Sequence, residues 1–151
     1  MKQFFLRLLA ALTFTFTVAA SCAMAQEGTS ADELIQTALT GLLQIDENRS
    51  GELWDATSAF VKTKLPKAEF VENLQRARQT VSAVGTVARR DWANVTRIRY
   101  LDDSSGVPPG QYANVDFATH LTNNKTVFEL VSFRLEPGGW KLTGYIPREK
   151  Q

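Results

Sequence analysis

Few side chains in this 151-residue chain have both the type and the setting for chemistry, and Glu129 stands first among them. Alternate residues of a strand share a face, so Glu129 travels with Val127, Val131 and Phe133, which belong in a core. A carboxylate in such company must pair with a cation, take up a proton or face a cavity, because burying it alone is very costly. In a pocket, Glu129 is a candidate general base or ligand anchor, its pKa raised by desolvation. Otherwise it is half of an ion pair, with Arg90 the leading partner, or a slip of strand register turns it to solvent.

The remaining reactive types are sparse. His120 is the only histidine, and it shares a strand side with Asp116 and Asn114, opposite Phe117. Ser132 and Asp116 supply the other residue types of a hydrolytic triad, but no nucleophile-elbow motif surrounds a serine. One histidine among scattered carboxylates lacks the spacing of metal ligands, so neither a metal nor a cofactor is expected. Arg97 and Arg99 alternate along one strand with Arg89 nearby. Their guanidinium forks suit an acidic ligand, or equally a sheet edge protected by charge. Trp54, Trp92, Tyr112, Trp140 and Tyr145 read as core rather than as a sugar-binding platform. No catalytic residue is assigned beyond Glu129 as a candidate. Arg90, Glu129 and Tyr112 are the candidate ligand-binding residues.

The amino terminus places this chemistry outside the cytoplasm. Lys2 and Arg7 form a positive n-region, Leu8 to Ala20 is an uncharged run, and Ala23-Met24-Ala25 presents small side chains ahead of Gln26. This is the pattern of a cleavable secretory signal, residues 1–25, cut between Ala25 and Gln26. The run is too short for a spanning helix, which needs roughly 20 apolar residues. Ala19-Ala20-Ser21-Cys22 is a poor lipobox, and lipidation at Cys22 is the alternative fate. It would tether the domain to a membrane. A periplasmic or secreted location is expected, with no membrane contact after cleavage unless Cys22 is lipidated. With Lys2 and Arg7 removed, 15 basic and 16 acidic residues remain. That balance speaks against a nucleic-acid binder, which needs a basic excess.

The elements that must position these residues fall into two runs. Ser30 caps a first helix whose apolar face carries Leu34, Ile35, Ala38, Leu39, Leu42 and Ile45. Leu53, Trp54, Thr57, Phe60 and Val61 mark a second helix, stopped at Pro66. Phe70, Val71, Leu74, Ala77 and Val81 mark a third, ending near Gly85. From Val87 the period changes to two, with strands over Val87–Leu101, Gln111–Leu121, Thr126–Glu136 and Trp140–Ile146. Turns fall at Pro109-Gly110, Asn123-Asn124 and Pro137-Gly138-Gly139. The expected architecture is α+β, with three N-terminal helices packed on one face of a curved antiparallel meander sheet of about four strands. Residues 26–151 form a single domain.

Five segments, in order, resemble one family. They are Gly51-Glu52-Leu53-Trp54-Asp55-Ala56-Thr57-Ser58-Ala59-Phe60, Val84-Gly85-Thr86-Val87-Ala88-Arg89-Arg90, Pro108-Pro109-Gly110-Gln111-Tyr112, Phe128-Glu129-Leu130-Val131, and Gly139-Trp140-Lys141-Leu142-Thr143-Gly144-Tyr145-Ile146. Together they are similar to the DUF4019 family of small exported bacterial domains, over roughly residues 35–147. The resemblance implies a bacterial source and a sheet curved like the cone-shaped domains of the nuclear-transport-factor-2-like class. It brings no catalytic residues.

Three functions are compatible with this pattern. The first is an exported, non-enzymatic module that binds a small ligand or an envelope protein. The second is an isomerase or dehydratase with Glu129, or Asp116, as base and Tyr112 or Tyr145 as donor to an oxyanion. It requires a cavity of roughly 300 Å3 or more that contains Glu129. The third is an accessory protein that self-associates through strand edges near Arg97 or the last strand.

Overall fold

Ser30 opens the first helix as its spacing predicts. Its hydroxyl accepts the Glu33 amide at 3.0 Å, with Asp32 and Glu33 in the first turn where the helix dipole favours negative charge. In a computed structural model that describes residues 30–102 and 106–148, apart from the side chains of 97–100, this helix is α1 (Ala31–Asp46). It buries Leu34, Ile35, Ala38, Leu42 and Ile45. Asn48, at φ +59°, turns the chain out of it. The signal segment, its cleavage site at Ala25 and Gln26, and Cys22 lie outside the described residues.

The second helix of the sequence pattern is two short ones, α2 (Ser50–Ala56) and α3 (Ala59–Lys64). The break has a tertiary cause. Thr57 forms a parallel bridge with Leu142, and the Ser58 amide donates to the Leu142 carbonyl at 2.8 Å. Apolar periodicity continues across these residues, but their backbone is spent on the sheet. Pro66 then caps α4 (Lys67–Val84), which buries Phe70, Leu74 and Val81.

Four antiparallel strands follow in the order β1-β2-β3-β4: β1 (Val87–Leu101), β2 (Gly110–Leu121), β3 (Thr126–Glu136) and β4 (Gly139–Arg148). The α+β class is therefore as the sequence predicts. The turn between β2 and β3 leans on the end of α4, where Asn123 Nδ2 donates to the Val84 carbonyl at 2.8 Å. A Cβ on Gly85 would come within 2.8 Å of that amide, so glycine permits the approach.

Ala113, Val115 and Phe117 of β2 face inward opposite Phe133, Val131 and Glu129 of β3. Leu34, Leu42, Leu53, Phe70 and Leu74 close over them from the helices. A smaller cluster of Val81, Leu121 and Val127 fills the far end. Register shifts in β1 at Ala88 and Ala93, and in β4 at Thr143, bend the sheet. The shift at Ala93 overturns one expectation. Trp92 pairs with Phe117 on the inner face and Asn94 with Asp116 on the outer one, so alternation does not run through this stretch. On the outermost strand, Trp92 is 60% exposed and is not part of the core.

Candidate functional site

Burial without compensation is forbidden to Glu129, and the fold compensates it completely. The side chain has 0% exposure. Arg90 on β1 approaches it in a fork, with Nε donating to Oε2 at 2.6 Å and Nη2 to Oε1 at 3.3 Å. The Tyr145 hydroxyl from β4 donates to Oε1 at 2.6 Å, and the Thr119 hydroxyl from β2 donates to Oε2. A carboxylate offers about four acceptor positions, and all four are taken.

The network continues outward. Arg90 Nη1 and Nη2 donate to Asp46 at 2.6 and 3.0 Å, and Arg78 Nε of α4 reaches the same carboxylate at 2.7 Å. Glu129, Arg90, Asp46 and Arg78 thus form a chain of alternating charge with no net charge. Burial alone would lower the Arg90 pKa, but its hydrogen bonds to Asp46 and Glu129 outweigh that and hold it above the ordinary arginine value. Burial, reinforced by the Glu129 charge, pushes the Tyr145 phenol well above its usual value. The structure therefore brings Arg90 and Glu129 together. Tyr112 lies on the opposite face, where its hydroxyl donates to the Pro108 carbonyl at 2.7 Å and ties down the loop before β2.

The other reactive residues are spread over the outer face. Asp116 pairs with Arg148. His120 lies between Asp91, 3.2 Å from Nε2, and Thr126, 3.2 Å from Nδ1, on an exposed stretch of sheet. Arg89 also pairs with Asp91. The side chains of Arg97 and Arg99 lie outside the described residues. Among the described residues, no group of three or more His, Cys, Asp or Glu could hold a metal ion.

The feature that residue types did not reveal is a cavity of about 300 Å3 between the helices and the sheet. Val131 and Phe133 of β3 and Leu142 of β4 form its inner surface. Leu53 and Ala56 of α2, Leu42 and Ile45 of α1 and Trp140 extend the apolar wall, and α1 adds Gly41 and, on its solvent-exposed side, Gln36, Thr37 and Thr40. None of its lining residues carries a charge. Tyr145 belongs to both: it lines the cavity and donates its hydroxyl to Glu129, which does not line it. The only advance signal was a glycine inside α1 beside polar residues on a helix flank.

A helical layer over a four-stranded antiparallel sheet, with an uncharged pocket between the layers that opens along α1 and an ion network whose inner end is buried, defines a small α+β domain with one apolar-walled pocket among those of the described residues. The chain belongs to the DUF4019 family, described as a protein of unknown function, whose family model matches residues 37–145. That span includes every residue of the ion network. No curated protein and no solved structure matches the chain.

Proposed function

We propose that this protein is an exported, non-enzymatic module that holds a small ligand in the cavity between α1, α2 and the inner face of β3 and β4. The observation that carries the proposal is the position of Tyr145. It lines an uncharged cavity while its hydroxyl is spent on the buried Glu129, which is absent from the cavity lining. Ligand sites are usually concave, mostly apolar and equipped with a few polar groups, and this cavity has that composition at the small end of their size range.

The enzyme alternative draws little support from the same geometry. A base must reach the proton it abstracts, either directly or through one water. Glu129 has no acceptor position left and does not line the cavity. Export to the periplasm or beyond rests on the leader at residues 1–25. Among the described residues, no helix is long and apolar enough to cross a membrane.

Native mass spectrometry of the full-length product, recovered from a bacterial periplasm, tests both halves of the proposal. A chain beginning at Gln26, carrying extra mass that is lost on denaturation, is the expected result. Lipid on Cys22 would replace a free module with a tethered one. A bare chain that also ignores a panel of small apolar compounds would remove the ligand from the proposal.

A further inference from the structure

The outward side of β3 is not composed like a solvated surface. An antiparallel sheet with one face in water alternates apolar inward with polar outward, whereas a strand covered on both faces reads as a nearly continuous apolar run. β3 follows the second pattern. Val127, Val131 and Phe133 point into the core, and Phe128 and Leu130 point the other way, on either side of the inward Glu129. Cross-strand pairing widens the stretch. Phe128 pairs with Ala118 of β2 and Leu130 with Ile146 of β4, so four apolar residues from three strands adjoin one another. Ile146 is 58% exposed, and Ala118, Phe128 and Leu130 are partly exposed. Among the described residues, the helices pack only on the opposite face.

Charge and size point to the occupant. Arg148 of β4 pairs with Asp116 of β2 across this stretch, and Arg89 pairs with Asp91 beyond it. Lys141 stands two cross-strand rows away. The bordering charges thus cancel within the chain. They leave no basic excess to draw an anionic membrane or a nucleic acid, and no field to select a strongly charged protein. A face without net charge is complementary to a second copy of itself.

The area is sufficient as well. With strands ~4.8 Å apart and a rise of ~3.4 Å per residue, a four-stranded face paired over Tyr112–His120 measures roughly 19 by 30 Å, about 600 Å2 in projection. Side chains raise the accessible area above that projection, to the scale of a standard interface, about 800 Å2 per partner. Two sheets pack well face to face, about 10 Å apart with their side chains interdigitated. A two-fold axis sets the same patch on both sides and closes the assembly at two copies.

We infer that the outer face of the sheet, centred on Phe128, Leu130 and Ile146, is the interface of a two-fold dimer of this chain. This goes beyond the ligand function and does not rest on it. The cavity lies on the other face of the sheet and opens along α1, clear of the interface.

Sedimentation equilibrium of the purified protein over a wide concentration range tests the inference. A monomer–dimer equilibrium is expected, with a Kd in the micromolar range or tighter, as interfaces of this size give. Amide chemical shifts at Phe128, Leu130 and Ile146 should move with dilution. Ile146→Glu should weaken the dimer at least tenfold by burying two uncompensated charges. Leu130→Thr, which keeps a strand-forming residue, should weaken it in a smaller, graded way, so the test survives if the glutamate variant does not fold. Leu43→Glu is the control. Leu43 is 51% exposed on α1, away from this face, and its replacement should leave the dimer unchanged. A monomer at every concentration overturns the inference, as does a dimer indifferent to Ile146→Glu and Leu130→Thr, or a mass that keeps growing past two copies. A monomer whose Phe128, Leu130 and Ile146 amides shift when phosphatidylcholine vesicles are added overturns it in favour of a lipid surface.

Discussion

Replacing Glu129 by glutamine removes a charge from a place that water cannot reach. Arg90 would keep Asp46 but lose half of its compensation, and one amide hydrogen would point toward the guanidinium. Breaking a buried pair by removing one partner usually costs about 3–5 kcal/mol. The Glu129→Gln variant is expected to show that loss as a lower urea midpoint with an unchanged slope. Tyr145→Phe is milder. It keeps the ring in the cavity wall and removes one hydrogen bond to a charged acceptor, worth roughly 1.5–3 kcal/mol. The pH dependence has a definite sign. The Tyr145 phenol ionises in the folded protein only well above its ordinary value of 10.0, so its stabilising contribution is fully present below pH 10.0. It fades as the pH rises further, because only the unfolded chain releases the proton there. The stability gap between wild type and Tyr145→Phe should be constant to about pH 10 and narrow beyond it, as read by denaturant midpoints at each pH.

At the scale of elements, α1 and the α2–α3 break make opposite predictions. Gly41→Ala adds a methyl group in ordinary contact with Leu53 and removes a poor helix former, which should stabilise the fold by about 1 kcal/mol. A melting temperature raised by about 4 °C would show it. The break after Thr57 depends on Glu136, which leaves β3 to accept the Ser58 hydroxyl at 2.5 Å and the Ala59 amide at 3.3 Å, with Arg134 at 2.9 Å. Burial would raise the Glu136 carboxyl, but these hydrogen bonds outweigh it and hold the group below its ordinary value of 4.5. Its stabilisation is therefore complete above pH 4.5 and lost as the pH falls through its lowered pKa. The melting-temperature gap between wild type and Glu136→Gln should be wide at pH 6 and close below pH 4.5.

Local patterns foretold the helix faces, the four strands, their turns and the inward side of Glu129, because each follows from periodicity and from residues near in sequence. The ion pair with Arg90 was legible from charge and facing. Asp46, Arg78, Thr119 and Tyr145 were not, since their meeting depends on which elements cross above the sheet. The bulge at Ala93 and the break at Thr57 escaped for a related reason: both are set by partners on another strand, and neither disturbs the residue pattern. The cavity escaped because it is defined by an absence, the side chain that Gly41 lacks.

In the whole molecule, helices cover one face of the sheet, and its two edges are treated differently. The bridge from Thr57 to Leu142 and the proline at 147 shield β4, whereas β1 carries the shifts at Ala88 and Ala93, the Arg89–Asp91 pair and the exposed Trp92. Between these edges the ion network draws one residue from each of six elements: Asp46 from α1, Arg78 from α4, Arg90 from β1, Thr119 from β2, Glu129 from β3 and Tyr145 from β4. A cluster assembled that way cannot exist in a half-built chain, so it belongs to the last act of folding. Interactions formed after the transition state govern how slowly a protein comes apart rather than how fast it comes together. In stopped-flow experiments, Glu129→Gln should accelerate the unfolding limb and leave the refolding limb nearly in place. The network would then act as a clock, setting how long each molecule survives once folded.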